Sequence, residues 1–135
     1  MVTGLINKRK ISIAVADDSP IMRQMLSLLI EKDERFILVG VFENGSELIS
    51  NIKEKRFSLS VCLLDIMMPI YNGIVTARIL KVQYPELLIF GYSSFHEGPL
   101  VDEMYQNGAK RVFQKGKWTV TQLLDVIYEE YIDLN

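Results

Sequence analysis

The chain has 135 residues, with 15 basic and 17 acidic side chains and a formal net charge of -2, a length that suits one domain and is short for two. That near-neutral balance argues against a nucleic-acid groove as the main surface, and no apolar run approaches the roughly 20 residues of a membrane span. The single cysteine, Cys62, lies inside an apolar run and cannot staple the chain internally, so a soluble, reducing, cytoplasmic setting is expected, without a membrane partner.

Lys10 to Ala16 reads as a first strand and Pro20 to Lys32 as a helix, with Ser19 as N-cap and Pro20 in the first turn. Phe36 to Phe42 is a second strand, and Glu43-Asn44-Gly45 breaks the chain before a helix from about Ser46 to Lys55. Ser60 to Leu64 is a third strand. A loop with Pro69 and Asn72-Gly73 then leads into a helix from Gly73 to Gln83, stopped by Pro85. Leu87 to Tyr92 forms a fourth strand, Pro99 to Asn107 a helix ended by Gly108, Arg111 to Gln114 a short fifth strand, and Trp118 to about Tyr131 the last helix. Five strand-helix units in strict alternation predict an α/β fold, a doubly wound five-stranded parallel sheet with helices on both faces. The strands are apolar almost throughout, as burial on two faces requires.

Parallel strands share a direction, so the residues that follow them meet at one edge, where open α/β sheets bind ligands. Asp17 and Asp18 follow the first strand, Asp65 the third, Ser93 the fourth and Lys115 the fifth. Three clustered carboxylates repel one another unless a cation sits among them, and Mg²⁺ suits a site of carboxylates, waters and a phosphate. Asp65 is also a competent nucleophile toward phosphorus. Mg²⁺ would then neutralise one equatorial oxygen of the transferring group, the Lys115 ammonium a second, and the Ser93 hydroxyl or a backbone N–H would bond the third. The plainer alternatives are that Asp18 starts a helix, Asp17 is a solvated turn residue and Lys115 a snorkelling surface lysine.

The segments VADDSPIMRQML, VCLLDIMMPIYNGI and GAKRVFQKG resemble the three signature regions of two-component response regulator receiver domains. The likeness runs from about Lys10 to Tyr131, with residues 1–9 as an extension, 10–132 as the domain and 133–135 as a tail. The resemblance implies a flavodoxin-like strand order of 2-1-3-4-5, Asp65 as phosphoacceptor, and a sensor histidine kinase as phosphodonor. It also implies Mg²⁺, or Mn²⁺ in its place, bound by Asp18, Asp65 and the Met67 carbonyl, with Asp17 acting through water. Ser93 would be the switch hydroxyl and Lys115 the phosphate-binding amine. Such a domain catalyses only its own phosphorylation and dephosphorylation and binds no nucleic acid itself.

Two positions depart from the family pattern. Val112 stands where receivers usually carry an aromatic switch residue, and Phe113 faces the other side of its strand. Gly116 follows Lys115 where proline is frequent, as in receivers that precede LuxR-type DNA-binding domains. The chain ends at Asn135, too soon for such a domain, so either a stand-alone regulator or a fragment is expected. Met67 and Phe95 lie where the family's hydrolytic water is positioned, and neither can act as a base.

The first helix is apolar over a wide arc: Met22, Leu26, Leu29 and Ile30 form one stripe and Ile21, Met25 and Leu28 a second. Either the helix is deeply covered, or the second stripe docks a partner helix or a second copy, as in a homodimer through helices one and five. His96, the only histidine, reads as a solvated loop residue. Two competing functions remain: a pseudo-receiver that only docks proteins, and an aspartate-dependent phosphatase of the haloacid dehalogenase kind. The latter needs an acid two residues after its nucleophile, where this chain has Met67.

Overall fold

A computed structural model describes residues 10–54, 58–95 and 97–134. Strands and helices alternate as β1 (Ile11–Ala16), α1 (Pro20–Glu31), β2 (Phe36–Phe42), α2 (Gly45–Glu54) and β3 (Val61–Asp65). They continue as α3 (Gly73–Gln83), β4 (Leu88–Ser93), α4 (Pro99–Gln106), β5 (Ala109–Gln114) and α5 (Val120–Leu134). The sheet has the order β2-β1-β3-β4-β5, and each neighbouring pair is parallel. This is the doubly wound, flavodoxin-like arrangement.

Alternate residues of each central strand feed two separate cores. Ala14, Ala16, Cys62, Leu64 and Ile89 pack against Leu48 and Ile52 of α2, Ala77 and Leu80 of α3 and Met104 of α4. Ile13, Val15, Leu63, Phe90, Tyr92 and Phe113 pack on the opposite face against Leu26 and Ile30 of α1 and Leu123, Leu124 and Ile127 of α5. Two-sided burial explains the nearly unbroken apolar runs of β1 and β3. Cys62 is buried, and that burial pushes its thiol pKa up, which leaves it an inert core side chain.

The element ends differ from the expected ones where local chemistry overrides pattern. β3 includes Asp65, because it pairs with Tyr92 of β4, and just beyond it the Gly73 N–H of α3 donates to the Ile66 carbonyl at 2.8 Å. A Cβ at Gly73 would run into the Asp65 carbonyl, so only glycine lets α3 begin against the acid that ends β3. β5 starts at Ala109 rather than Arg111: Gly108, at φ 107°, turns the chain from α4 directly into the strand. α5 starts later, at Val120, because Thr119 and Gln122 cap each other, each donating its backbone N–H to the other's side chain at 3.0 and 3.1 Å. It also continues to Leu134. α1 begins as expected, with Ser19 accepting from the Met22 N–H.

Candidate functional site

The parallel register delivers the expected groups to one edge. Asp65 ends β3, Ser93 ends β4, Asp17 and Asp18 follow β1, and Lys115 follows β5. One oxygen from each of Asp17, Asp18 and Asp65 lies within 4.8 Å of the others. The Lys115 ammonium bridges two of these acids, with Nζ 3.1 Å from Asp17 Oδ2 and 3.3 Å from Asp65 Oδ1. The Lys115 ammonium therefore faces the acid cluster and does not snorkel away to the surface.

Asp17 is buried, at 1 % exposure, and not a solvated turn residue, whereas Asp18 is exposed. Its Oδ1 accepts the Ser19 N–H at 2.8 Å. Its Oδ2 is buried and accepts no aligned hydrogen bond among the described residues, so the Lys115 charge alone compensates it there. An orphaned carboxylate oxygen is costly unless a cation meets it. Three acids facing one amine therefore fit a hard divalent cation that takes oxygen ligands. The same imbalance acts on Asp65, whose pKa is pushed up to about 7 by burial first and then by the Asp17 charge, with Lys115 opposing. Burial works against the Lys115 charge, and the carboxylates of Asp65 and Asp17 outweigh it, so its pKa is raised.

Two groups that hold the site are not evident from the sequence. Arg23 of α1 donates from Nη1 to the Asp17 carbonyl at 2.9 Å and lies 3.6 Å from Glu43, which ties the acid-bearing loop to the end of β2. Tyr92 of β4 lies with its ring centroid 5.4 Å from Lys115 Nζ. Both carry a readable hint, a charge or a phenol set among apolar neighbours, but their partners depend on the register of distant segments.

Ser93 is buried and its Oγ accepts the Phe95 N–H at 3.0 Å; its carbonyl accepts the Lys115 N–H at 2.7 Å, closing the end of β5 onto β4. Gly116 turns away at φ 84° with open space where a Cβ would sit, a conformation that proline, fixed near φ -65°, cannot adopt. Met67 and Phe95 stand exposed at the rim. Val112 is half-buried on the α4 side of the sheet, and its N–H donates to the Tyr105 hydroxyl at 3.1 Å. On α1, Leu26 and Ile30 are buried, while Ile21, Met25 and Leu28 are exposed, so the second stripe is not covered among the described residues. His96 lies outside the described residues. Among the described residues, no helix is long and apolar enough to cross a membrane.

Comparison with known proteins identifies the fold and the family. The receiver domain of the putative response regulator NarL from Mycobacterium tuberculosis superposes with a TM-score of 0.81 over 91% of this chain and 97% of that one, at 23% identity; this likeness speaks for the fold. The transcriptional regulatory protein LnrK of Bacillus subtilis is 27% identical over 99 residues, 73% of this chain and 44% of LnrK. A protein-glutamate methylesterase/protein-glutamine glutaminase of Halalkalibacterium halodurans is 34% identical over 89 residues, 66% of this chain and 25% of that protein. The chain thus spans from a quarter to under half of the length of these two relatives. Residues 13–128 match the family model described as "Response regulator receiver domain". That match runs from within β1, which leads into the acids, past Lys115 beyond β5, and the chain belongs to the response regulator receiver domain family.

Proposed function

We propose that the protein accepts a phosphoryl group on Asp65 from a sensor histidine kinase, in a reaction that needs a divalent cation, and that the modified site alters a partner-binding surface. The observation that carries this reading is the placement of Lys115 Nζ between Asp17 and Asp65 within the three-acid cluster. Asp65 Oδ2, the oxygen not paired with Lys115, attacks phosphorus; the bond from phosphorus to the donor atom breaks, and the donor leaves with that electron pair and takes up a proton. Asp18, Asp65 and the Met67 carbonyl would hold Mg²⁺, with Asp17 supporting it through water, and the bound ion would supply positive charge to one phosphoryl oxygen. Lys115 neutralises a second oxygen, and Ser93, released from the Phe95 N–H, bonds the third. Mn²⁺ offers the same hard charge.

Met67 occupies the position where an aspartate-dependent phosphatase needs its acid, which weighs against turnover of external phosphate esters. The chain acts only on its own Asp65, in a cytoplasmic setting. The exposed stripe of Ile21, Met25 and Leu28 supports association through α1 and α5, with the kinase or a second copy. Neither Met67 nor Phe95 can activate a water, so the phosphoform should persist well beyond seconds in the absence of a phosphatase. Quenched intact-mass measurements would follow that lifetime, and decay within seconds would contradict the role given to these two side chains. Intact mass after incubation with Mg²⁺ and acetyl phosphate, on wild type and Asp65→Asn, tests the acceptor itself.

A further inference from the structure

We infer that Tyr92 is a positioning residue for phosphoryl transfer: its ring face seats the Lys115 ammonium beside Asp65 Oδ1 and so keeps Oδ2 open to phosphorus. The inference rests on Asp65 being the acceptor.

Lysine is poorly suited to hold one position unaided, since its flexible four-carbon stem samples many rotamers. The backbone of Lys115 is fixed, by its N–H on the Ser93 carbonyl and by its bridge to Trp118. Its side chain then meets three attractions. Asp17 and Asp65 draw the ammonium toward the acids, where it would be free to shift between the two oxygens of Asp65. The ring of Tyr92 lies 5.4 Å from Nζ, inside the roughly 6 Å at which the negative face of an aromatic ring attracts a cation. Its pull comes from the sheet.

Sheet register makes this contact specific. Tyr92 pairs with Phe113 across β4 and β5, and both face the α1 and α5 core. Lys115 lies two residues beyond Phe113, hence on the same face. Phe113 in turn meets Trp118 edge-on, with centroids 5.1 Å apart, so the seat is backed by packed rings. Val112 faces the other core and can contribute nothing to it. An aliphatic side chain at position 92 would fill much of the same core volume without attracting the charge. The bland reading, that Tyr92 is only core, therefore predicts that leucine suffices.

Four proteins separate the two readings: wild type, Tyr92→Phe, Tyr92→Leu and Tyr92→Met, the last as a flexible filler should leucine disturb folding. In the metal-free protein, NMR should find the Lys115 ε-methylene protons shifted upfield by the ring in wild type and Tyr92→Phe, and not in the leucine and methionine variants. With Mg²⁺ and acetyl phosphate, Tyr92→Phe should gain the phosphoryl group at the wild-type rate, and the aliphatic variants about fivefold more slowly, as loss of one cation–π contact implies. Labelling of folded Tyr92→Leu or Tyr92→Met at the wild-type rate would overturn the inference. So would a Tyr92→Phe as slow as the aliphatic variants, or an ε-methylene shift indifferent to the ring. A wild type that takes no phosphoryl group at all would remove the Asp65 reading and the transfer role of Tyr92 with it, while the NMR shift would still decide whether the ring seats the amine.

Discussion

Stripped of divalent cations, the protein should lose stability as the pH rises from about 4 to about 7, and Asp65→Asn should remove most of that slope. The folded-state pKa of Asp65 is pushed up from 3.8 to about 7, so in this window the folded protein holds a proton that the unfolded chain has released. Stability then falls with rising pH, by up to about 1.4 kcal/mol per unit; the contribution is fully present below pH 3.8 and is lost as the pH passes through about 7. Asp33 acts with the opposite sign, because its hydrogen bond from Arg35 lowers its pKa and its stabilising contribution is lost only as the pH falls through that lowered value. The difference between wild type and Asp65→Asn isolates the site from such groups. Mg²⁺ should reverse the loss, raising the melting temperature strongly at pH 8 and little at pH 4, since only the folded cluster binds it and only when ionised. Thermal melts across pH, with EDTA and with Mg²⁺, would measure both effects. A wild-type profile parallel to that of Asp65→Asn would contradict the charge balance described here.

Lys115→Met should destabilise the metal-free protein toward the lower end of the about 3–5 kcal/mol that follows removal of one partner from a buried pair. Methionine keeps much of the stem's volume and loses the charge that lies 3.1 Å from Asp17 Oδ2, an oxygen that accepts no aligned hydrogen bond among the described residues. The lower end applies because Asp65 can take up a proton and relieve part of the repulsion. Saturating Mg²⁺ should restore much of the loss, as a second source of positive charge among the same acids. Urea unfolding near pH 7.5, with and without Mg²⁺, would read the effect. An unchanged midpoint would mean that the amine is solvated and does not compensate the acids.

The site's composition was legible in the sequence because a parallel sheet converts chain position into spatial position. An acid, serine or lysine just after an apolar run has to emerge at the same edge as its counterparts, so Asp17, Asp18, Asp65, Ser93 and Lys115 follow from pattern alone. The start of β5 did not, because Lys110 is exposed on an edge strand, where a charge breaks the apolar signature that marks buried strands. The start of α5 was set by the capping pair Thr119 and Gln122, a signal that Trp118 obscured by extending the apolar pattern. The burial of Asp17 was not legible, because nothing local indicates that Arg23 of α1 donates to its carbonyl. Tyr92 was concealed differently: within LLIFGY it reads as one more core residue, and its contact with Lys115 exists only through the pairing of β4 with β5. Local chemistry was readable, and contacts made by register were not.

Ile21, Met25 and Leu28 of α1 are exposed and support the proposed association, whereas the proposed chemistry lies at the strand ends. That chemistry is most directly tested by intact mass after incubation with Mg²⁺ and acetyl phosphate. The account predicts addition of a single phosphoryl group to wild type and none to Asp65→Asn. A wild type that stays unmodified, or an Asp65→Asn protein modified as fully as wild type, would contradict it.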